Sequence, residues 1–284
     1  MSETTNDDAV RAVVREQYGN IARGSTAGCC SPLSCGGGPQ ASLALGYSAD
    51  DLSAVPEGAN MGLGCGNPQA IAALRPGETV VDLGAGGGFD CFLSAKQVGD
   101  QGKVIGVDMT PDMVTKAREN AAKLSAVNVE FRLGEIEHLP IANDTADVIL
   151  SNCVVNLSPN KPAVFRDAFR VLKPGGRLAI ADVVATRALP PDLKKDLDAL
   201  VGCMAGAAQV SAIERMLAEA GFGQIRVTVK PESREFIRDW MPGSGMEDYV
   251  VSAVIEAVKP GGDCCAPTCC DDKRVSEDQD KGAR

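Results

Sequence analysis

Between Val80 and Asp90 the chain reads Val80-Val81-Asp82-Leu83-Gly84-Ala85-Gly86-Gly87-Gly88-Phe89-Asp90. Two β-branched residues lead into an acid, then into a turn with glycines at alternate positions, then into apolar residues able to start a helix. Alternate glycines let a backbone turn sharply and approach a ligand with no Cβ in the way. The pattern is a strand, a turn and a helix, with a ligand at the turn. Spacing narrows the ligand. Gly84, Gly86 and Gly88 give G-x-G-x-G, whereas a dinucleotide loop needs G-x-G-x-x-G, and Phe89 stands where its third glycine would be. The loop argues against NAD or FAD and for another nucleoside ligand.

Lys103 to Val107 reads as a second buried strand, ending at Asp108. In a parallel α/β sheet its carboxyl end lies beside that of the first strand, where a carboxylate can accept both ribose hydroxyls. The plain alternative is a solvated Asp opening the next helix. Thr110 and Pro111 already supply that helix with a cap and a first residue, which leaves Asp108 for ribose. Together these residues resemble the S-adenosylmethionine-dependent methyltransferases of the Rossmann-like class, over about Thr79 to Val184. Asp82 to Gly88 matches the first motif, and Asp108 with Met109 the ribose site. Gly134-Glu135-Ile136-Glu137 matches the turn after strand three, where the resemblance implies that Glu135 and Ile136 hold adenine. Asp147 to Leu150 with Ser151-Asn152 matches strand four, and Leu172 to Leu178 the turn into strand five. The resemblance implies a doubly wound, mostly parallel sheet, with Asp82, Gly84, Gly86, Asp108, Met109, Glu135, Ile136 and Asn152 binding S-adenosylmethionine.

Alternating strands and helices up to Val184 independently indicate α/β architecture with helices on both faces. Before it, Asp8 to Tyr18 has helical periodicity, Gly24 to Pro39 is irregular, and Ser48 caps a short helix. After it, Pro191 to Ala207 and Ser211 to Ala220 read as helices and Gln224 to Val229 as a strand. Val250 to Val258 reads as a final antiparallel edge strand. Four segments are expected: an N-terminal cap over 1–68, the cofactor domain over 69–184, a substrate-binding C-terminal part of the fold over 185–260, and a disordered tail over 261–284. The first and third are expected to cover the substrate.

Formal charge is −10, from 28 basic and 38 acidic residues, and no basic cluster tracks phosphates, so nucleic acid is not expected as a partner. Met1 to Asp8 is too polar for a secretory signal, and no apolar run reaches membrane-spanning length. A cytoplasmic monomer away from membranes is expected. In such a reducing compartment eleven cysteines are not a disulfide framework.

Cys153 falls at the end of strand four, on the crevice where ligands bind in such sheets. Cys203 lies in Val201-Gly202-Cys203-Met204-Ala205-Gly206, on the helical segment after strand five, and Cys65 lies among glycines in Gly62-Leu63-Gly64-Cys65-Gly66. The glycines predict an exposed, mobile Cys65. Each cysteine has a bland reading as a small core residue, which is the one adopted for Cys91. Three converging thiolates with no fourth ligand suit trivalent arsenic, which is soft and carries a lone pair. Zinc wants a fourth ligand, often His, and the sole histidine, His138, belongs to the surface or the adenine side.

Asn60 to Pro68, Gly134 to Pro140, Ser151 to Pro159 and Gly202 to Ala207 closely resemble the microbial arsenite S-adenosylmethionine methyltransferases, a similarity running from about Val14 to Pro260. It implies that Cys153 and Cys203 hold trivalent arsenic, that Cys65 joins them during the cycle, and that one of Cys29, Cys30 and Cys35 takes part. Substrates would be arsenite and methylated trivalent arsenicals, with glutathione or thioredoxin as thiol reductant. Cys264-Cys265 and Cys269-Cys270 lie outside the resemblance and are read as an arsenic-chelating tail. Two rivals explain less: a methyltransferase for quinone-like acceptors leaves the cysteines idle, and a non-catalytic thiol-rich metalloid or zinc binder leaves the cofactor motifs idle.

Overall fold

The structure, a computed structural model, describes residues 3–24, 41–196, 199–200 and 202–261. Cys29, Cys30 and Cys35 and the four tail cysteines lie outside them, and so do the readings made for those segments. Helix α1 (Glu3–Ala22) precedes three short helices, α2 (Ala41–Ala44), α3 (Ala49–Ser53) and α4 (Gln69–Ala72). There follow β1 (Thr79–Leu83), α5 (Phe89–Val98), β2 (Lys103–Asp108), α6 (Pro111–Leu124), β3 (Val129–Leu133), β4 (Ala146–Asn152), α7 (Lys161–Val171) and β5 (Leu172–Ala185). The described chain then forms α8 (Pro191–Lys195), α9 (Val210–Ala220), β6 (Gly223–Lys230), α10 (Arg234–Trp240) and β7 (Val250–Val258).

Alternate residues of a strand face opposite sides of its sheet, and here both sides are apolar, as parallel strands between helix layers require. Val81, Ile105, Ile149 and Leu178 pack one way, against Val164 and Phe165 of α7 and Ile213 and Leu217 of α9. Their neighbours Val80, Val104, Val148 and Ala179 pack the other way, against Phe92 of α5 and Val114 and Ala117 of α6. Strand order is β3-β2-β1-β4-β5-β7-β6, with β1 to β5 parallel and β7 antiparallel to both its neighbours. The chain steps one way from β1 to β2 and β3, then crosses back to β4. That reversal opens a crevice at the carboxyl ends of β1 and β4.

Two details differ from expectation. The antiparallel strand Val250–Val258 is present but lies inside the sheet, so β6 is the edge. Its burial gives the reason: β7 is buried at nearly every position, while β6 alternates between partly covered and exposed residues. The helix expected over Pro191 to Ala207 is not continuous either. Helix α8 ends at Lys195, and Gly202 to Gly206 runs through turns and bends.

A third apolar cluster lies at the carboxyl edge and joins Val14 of α1, Leu157, Val183, Met204, Ile237 and Val250 to three cysteines, Cys65, Cys153 and Cys203. Helix α1 is held over this edge by Arg11 on Glu137 (3.1 Å), Arg15 on Glu135 (3.4 Å) and Arg23 on Asp112. Among the described residues no helix is long and apolar enough to cross a membrane.

Candidate active site

At the crevice a cavity opens with an empty volume of ≈ 1090 Å³, its mouth included. The glycine turn after β1 shapes one wall. Gly84, Gly86 and Gly88 have φ of 69°, 52° and 93°, a left-handed region that costs other residues about 1 kcal/mol. The turn brings the N–H of Gly86 to one carboxylate oxygen of Asp108 (2.9 Å), and the other oxygen accepts the N–H of Thr110 (2.8 Å). The Thr110 side chain, expected as the helix cap, makes no capping bond. Asp108 ties the backbone just ahead of that helix to the glycine turn while lining the cavity.

Asp82, Asp90 and Asp108 all line the cavity, and burial raises each above the usual carboxylate range, with Asp82 and Asp90 adding mutual repulsion at Asp82. The Cys91 thiol, buried on α5 as expected, donates to Asp82 (3.2 Å). Asp90 accepts from the Tyr47 hydroxyl (2.8 Å) and the Asn152 amide (3.3 Å). Among the described residues along the wall the one cationic side chain, Arg11, is committed to Glu137. A cavity with three further carboxylates and no other described cation fits a cationic nucleoside ligand. S-adenosylmethionine, with its sulfonium, ammonium and ribose hydroxyls, is such a ligand.

Of the residues expected to bind cofactor, Asp82, Gly84, Gly86, Asp108, Met109, Ile136 and Asn152 line this cavity. Glu135 is the exception. Its carboxylate turns outward to Arg11 (3.5 Å) and Arg15 (3.4 Å), which stand one turn apart on α1. Glu137 lines the cavity instead, buried under Arg11 and accepting from Ser158 Oγ (2.7 Å). His138 is exposed. Sequence reasoning missed Glu137 and Asp90, although both adjoin quoted motifs. It also missed Tyr47 and Tyr18, which reach the cavity from distant segments with no local signal.

Of the three thiols Cys153 lines the cavity, and Cys65 and Cys203 lie with it in the third apolar cluster. Cys153 directly follows β4 with φ 59°, and Cys203 sits in its turn with φ 64°. The Cys203 turn can lie against the β4–α7 connection because residue 206 is glycine: a Cβ there would come within 2.1 Å of the Asn156 carbonyl. Cys153 lines the cavity with its Sγ within 4.8 Å of Cys65 Sγ, while the Cys203 thiol donates to the Cys153 carbonyl (2.6 Å) and meets the Tyr18 hydroxyl.

Cys65 corrects the sequence reading. It is 1% exposed, and its loop is fixed rather than mobile. Its N–H donates to Asn152 Oδ1 (3.1 Å), its carbonyl accepts from Ser252 Oγ (2.7 Å), and the Gly66 carbonyl accepts from Asn152 Nδ2 (2.9 Å). The flanking glycines serve close approach, since a Cβ at Gly64 would meet Asn152 at 2.7 Å and one at Gly66 would meet Ala181 Cβ at 2.7 Å. Asn152 thus grips the Cys65 loop with one amide while reaching Asp90 on the cofactor wall. Burial pushes the Cys65 thiol up to about 11. The Cys153 thiol is raised by burial, and the Cys203 thiol by its bond to Cys153 and by burial. All three are therefore neutral thiols at neutral pH.

A family model described as a methyltransferase domain matches residues 74–221. The arsenite methyltransferase of Halobacterium salinarum is 52% identical over 269 residues, covering 90% of this chain and 68% of that protein. The arsenite methyltransferase of Aquipseudomonas alcaligenes is 38% identical over 227 residues, covering 75% of this chain and 62% of that protein. Among solved structures, an arsenic(III) S-adenosylmethionine methyltransferase from Chlamydomonas reinhardtii superposes with a TM-score of 0.59 at 32% identity, covering 78% of this chain and 74% of that one.

Proposed function

This chain belongs to the arsenite methyltransferase family, and on that premise we propose that it methylates trivalent arsenic held by Cys65, Cys153 and Cys203, using S-adenosylmethionine. The observation that carries the reading is Cys153, which lines the acidic cavity with Cys65 Sγ within 4.8 Å and the Cys203 thiol on its carbonyl.

Arsenite arrives with three hydroxyls. Each neutral thiol forms an As–S bond, and its proton leaves with a hydroxyl as water, so capture needs no base. Three sulfurs leave the arsenic lone pair free. The apolar cluster around the thiols excludes water, and their fixed backbones hold the lone pair in one direction. S-adenosylmethionine supplies an electrophilic methyl on a sulfonium and leaves as S-adenosylhomocysteine. Toward it, Asp108 holds the ribose hydroxyls, Gly86 allows close approach, Ile136 with Met109 packs the nucleoside, and Asp82 attracts the cationic end. We assign Asn152 a second part, holding the Cys65 loop. Residues 69–184 serve the cofactor, 185–260 with 1–68 cover the substrate, and the tail over 261–284 takes no part in turnover. Glutathione or thioredoxin supplies two electrons when arsenic must return to the trivalent state. The setting is the cytoplasm and the acting unit a monomer.

The test is consumption of S-adenosylmethionine with and without arsenite, in wild type and in Cys65→Ser. Turnover should require a trivalent arsenical. Monomethylated trivalent arsenic already carries one carbon and needs two thiolates, so Cys65→Ser should lose arsenite turnover and keep that substrate. Turnover that ignores arsenic would overturn the reading. Equal loss of both substrates would remove only the separate role of Cys65.

A further inference from the structure

One buried acid has no part in that reaction. Asp182, in the middle of β5, is 2% exposed. One of its oxygens accepts from Asn156 Nδ2 (2.9 Å) and the Val183 N–H (2.7 Å), and the other from the Asn156 N–H (3.3 Å), with the Val155 N–H also facing the carboxylate. A carboxylate oxygen of Asp182, Cys65 Sγ and Cys153 Sγ all lie within 4.8 Å of one another, the three side chains all buried. Cys203 stands beside this group, its thiol donating to the Cys153 carbonyl (2.6 Å). Three-coordinate arsenic, whose fourth direction is a lone pair, has no use for the acid. A zinc-like ion does, because it is closed by four ligands drawn from thiolates, imidazoles and carboxylates. The sequence offered His138 as the only fourth ligand of the usual kind, and it is remote; the fold supplies Asp182 instead.

We infer that the thiol pocket is also a site for a thiophilic divalent cation, zinc in the first instance, bound by Cys65, Cys153, Cys203 and Asp182, and that this cation competes with arsenite. Three Zn–S bonds and one Zn–O bond form, and three thiol protons pass to solvent. Lys161, whose ammonium donates to the Ser158 carbonyl (3.1 Å) and feels the charge of both Asp182 and Cys203, offsets part of the remaining negative charge. Cation binding rests on the thiols and Asp182 alone; competition rests on the arsenite reading as well.

The experiment uses full-length, metal-free protein with serine in place of Cys29, Cys30, Cys35, Cys264, Cys265, Cys269 and Cys270, so that only the described cysteines report. Cobalt(II) should bind once, with sulfur-to-metal charge transfer and a tetrahedral spectrum, and zinc should displace it. Asp182→Asn should weaken zinc by at least about tenfold, the lower end of what losing even an outer partner costs a metal site, while arsenite affinity stays unchanged. An octahedral cobalt spectrum, or full zinc affinity in Asp182→Asn, overturns the proposal. Should that variant not fold, zinc X-ray absorption of the otherwise intact protein decides: mixed sulfur and oxygen ligation supports the site, and four sulfurs overturn it. Zinc binding as described with no arsenite binding would defeat the arsenite reading and leave the cation site standing; arsenite binding with no zinc binding would do the reverse.

Discussion

On the cofactor wall of the cavity the left-handed backbone positions are glycines, Gly84, Gly86 and Gly88; on the thiol wall they are functional residues, Cys153 and Cys203. Six described non-glycine residues have positive φ, and two of them are two of the three candidate arsenic ligands. A β-carbon in that region costs about 1 kcal/mol, and such costs gather where function fixes a geometry that folding alone would not choose. The walls also differ in medium. One holds carboxyls whose proton affinity burial raises. The other is apolar and holds neutral thiols. The cofactor wall gains shape cheaply from glycine, whereas the thiol wall spends stability on direction. Asn152 bonds to both, through Asp90 on one side and the Cys65 loop on the other.

The largest effect should come from the thiol wall. Cys153→Ser and Cys203→Ser keep the size of the side chain and remove the soft ligand, so arsenite methylation should fall to near background while calorimetry still finds S-adenosylmethionine bound. Wild-type rates in both variants would erase the proposed division between the walls. Next comes the reciprocal change. Asp108→Ala should weaken S-adenosylmethionine by about 1.5–3 kcal/mol, as expected for a hydrogen bond to a charged group, and leave arsenite binding as it was. Full cofactor affinity in a folded Asp108→Ala protein would remove the ribose assignment.

Acidity should act on the cofactor wall. Burial raises Asp82, Asp90 and Asp108, and a cationic ligand favours their ionised forms, so cofactor affinity should rise with pH through their raised range. Stability of the free protein should move the other way. The unfolded chain releases these protons at lower pH than the folded one, so the folded state binds more protons across that interval and loses stability as pH rises. Saturating cofactor should reverse the trend. Thermal melts with and without S-adenosylmethionine, at mildly acidic and neutral pH, give both slopes; a parallel fall in the two series would contradict the linkage.

The smallest effect concerns strain. Cys153→Gly removes the same thiol as Cys153→Ser but also the β-carbon at a positive φ, so it should be the more stable variant by about 1 kcal/mol. Denaturant unfolding of the pair measures this, and a more stable serine variant would show that position 153 is not strained.

The cofactor wall was legible in the sequence because its signals are local. A glycine spacing, an acid at a strand end and a run of β-branched residues each report on neighbours a few positions away, and Gly84, Gly86, Asp82 and Asp108 all stand where those signals put them. Glu135 and Glu137 show the limit. Both flank Ile136, and which of them faces the cavity was settled by two arginines on α1, more than a hundred residues earlier. The glycines beside Cys65 misled for a related reason: a glycine tolerates close packing as readily as motion, and only the neighbouring Asn152 and Ala181 tell which is in use.

The sequence by itself therefore determined the α/β alternation, the cofactor turn and the presence of a cysteine at the end of the fourth strand, since periodicity and turn chemistry act over a few residues. Tertiary structure alone decided that β7 enters the sheet beside β5 and that Cys65 and Cys203 close on Cys153. It also put Asp182 beside two of those thiols. These are distances between residues far apart in the chain, set by strand order and by which face of each strand the fold turns inward. No local pattern carries that information, because the same pattern packs equally well against a different neighbour.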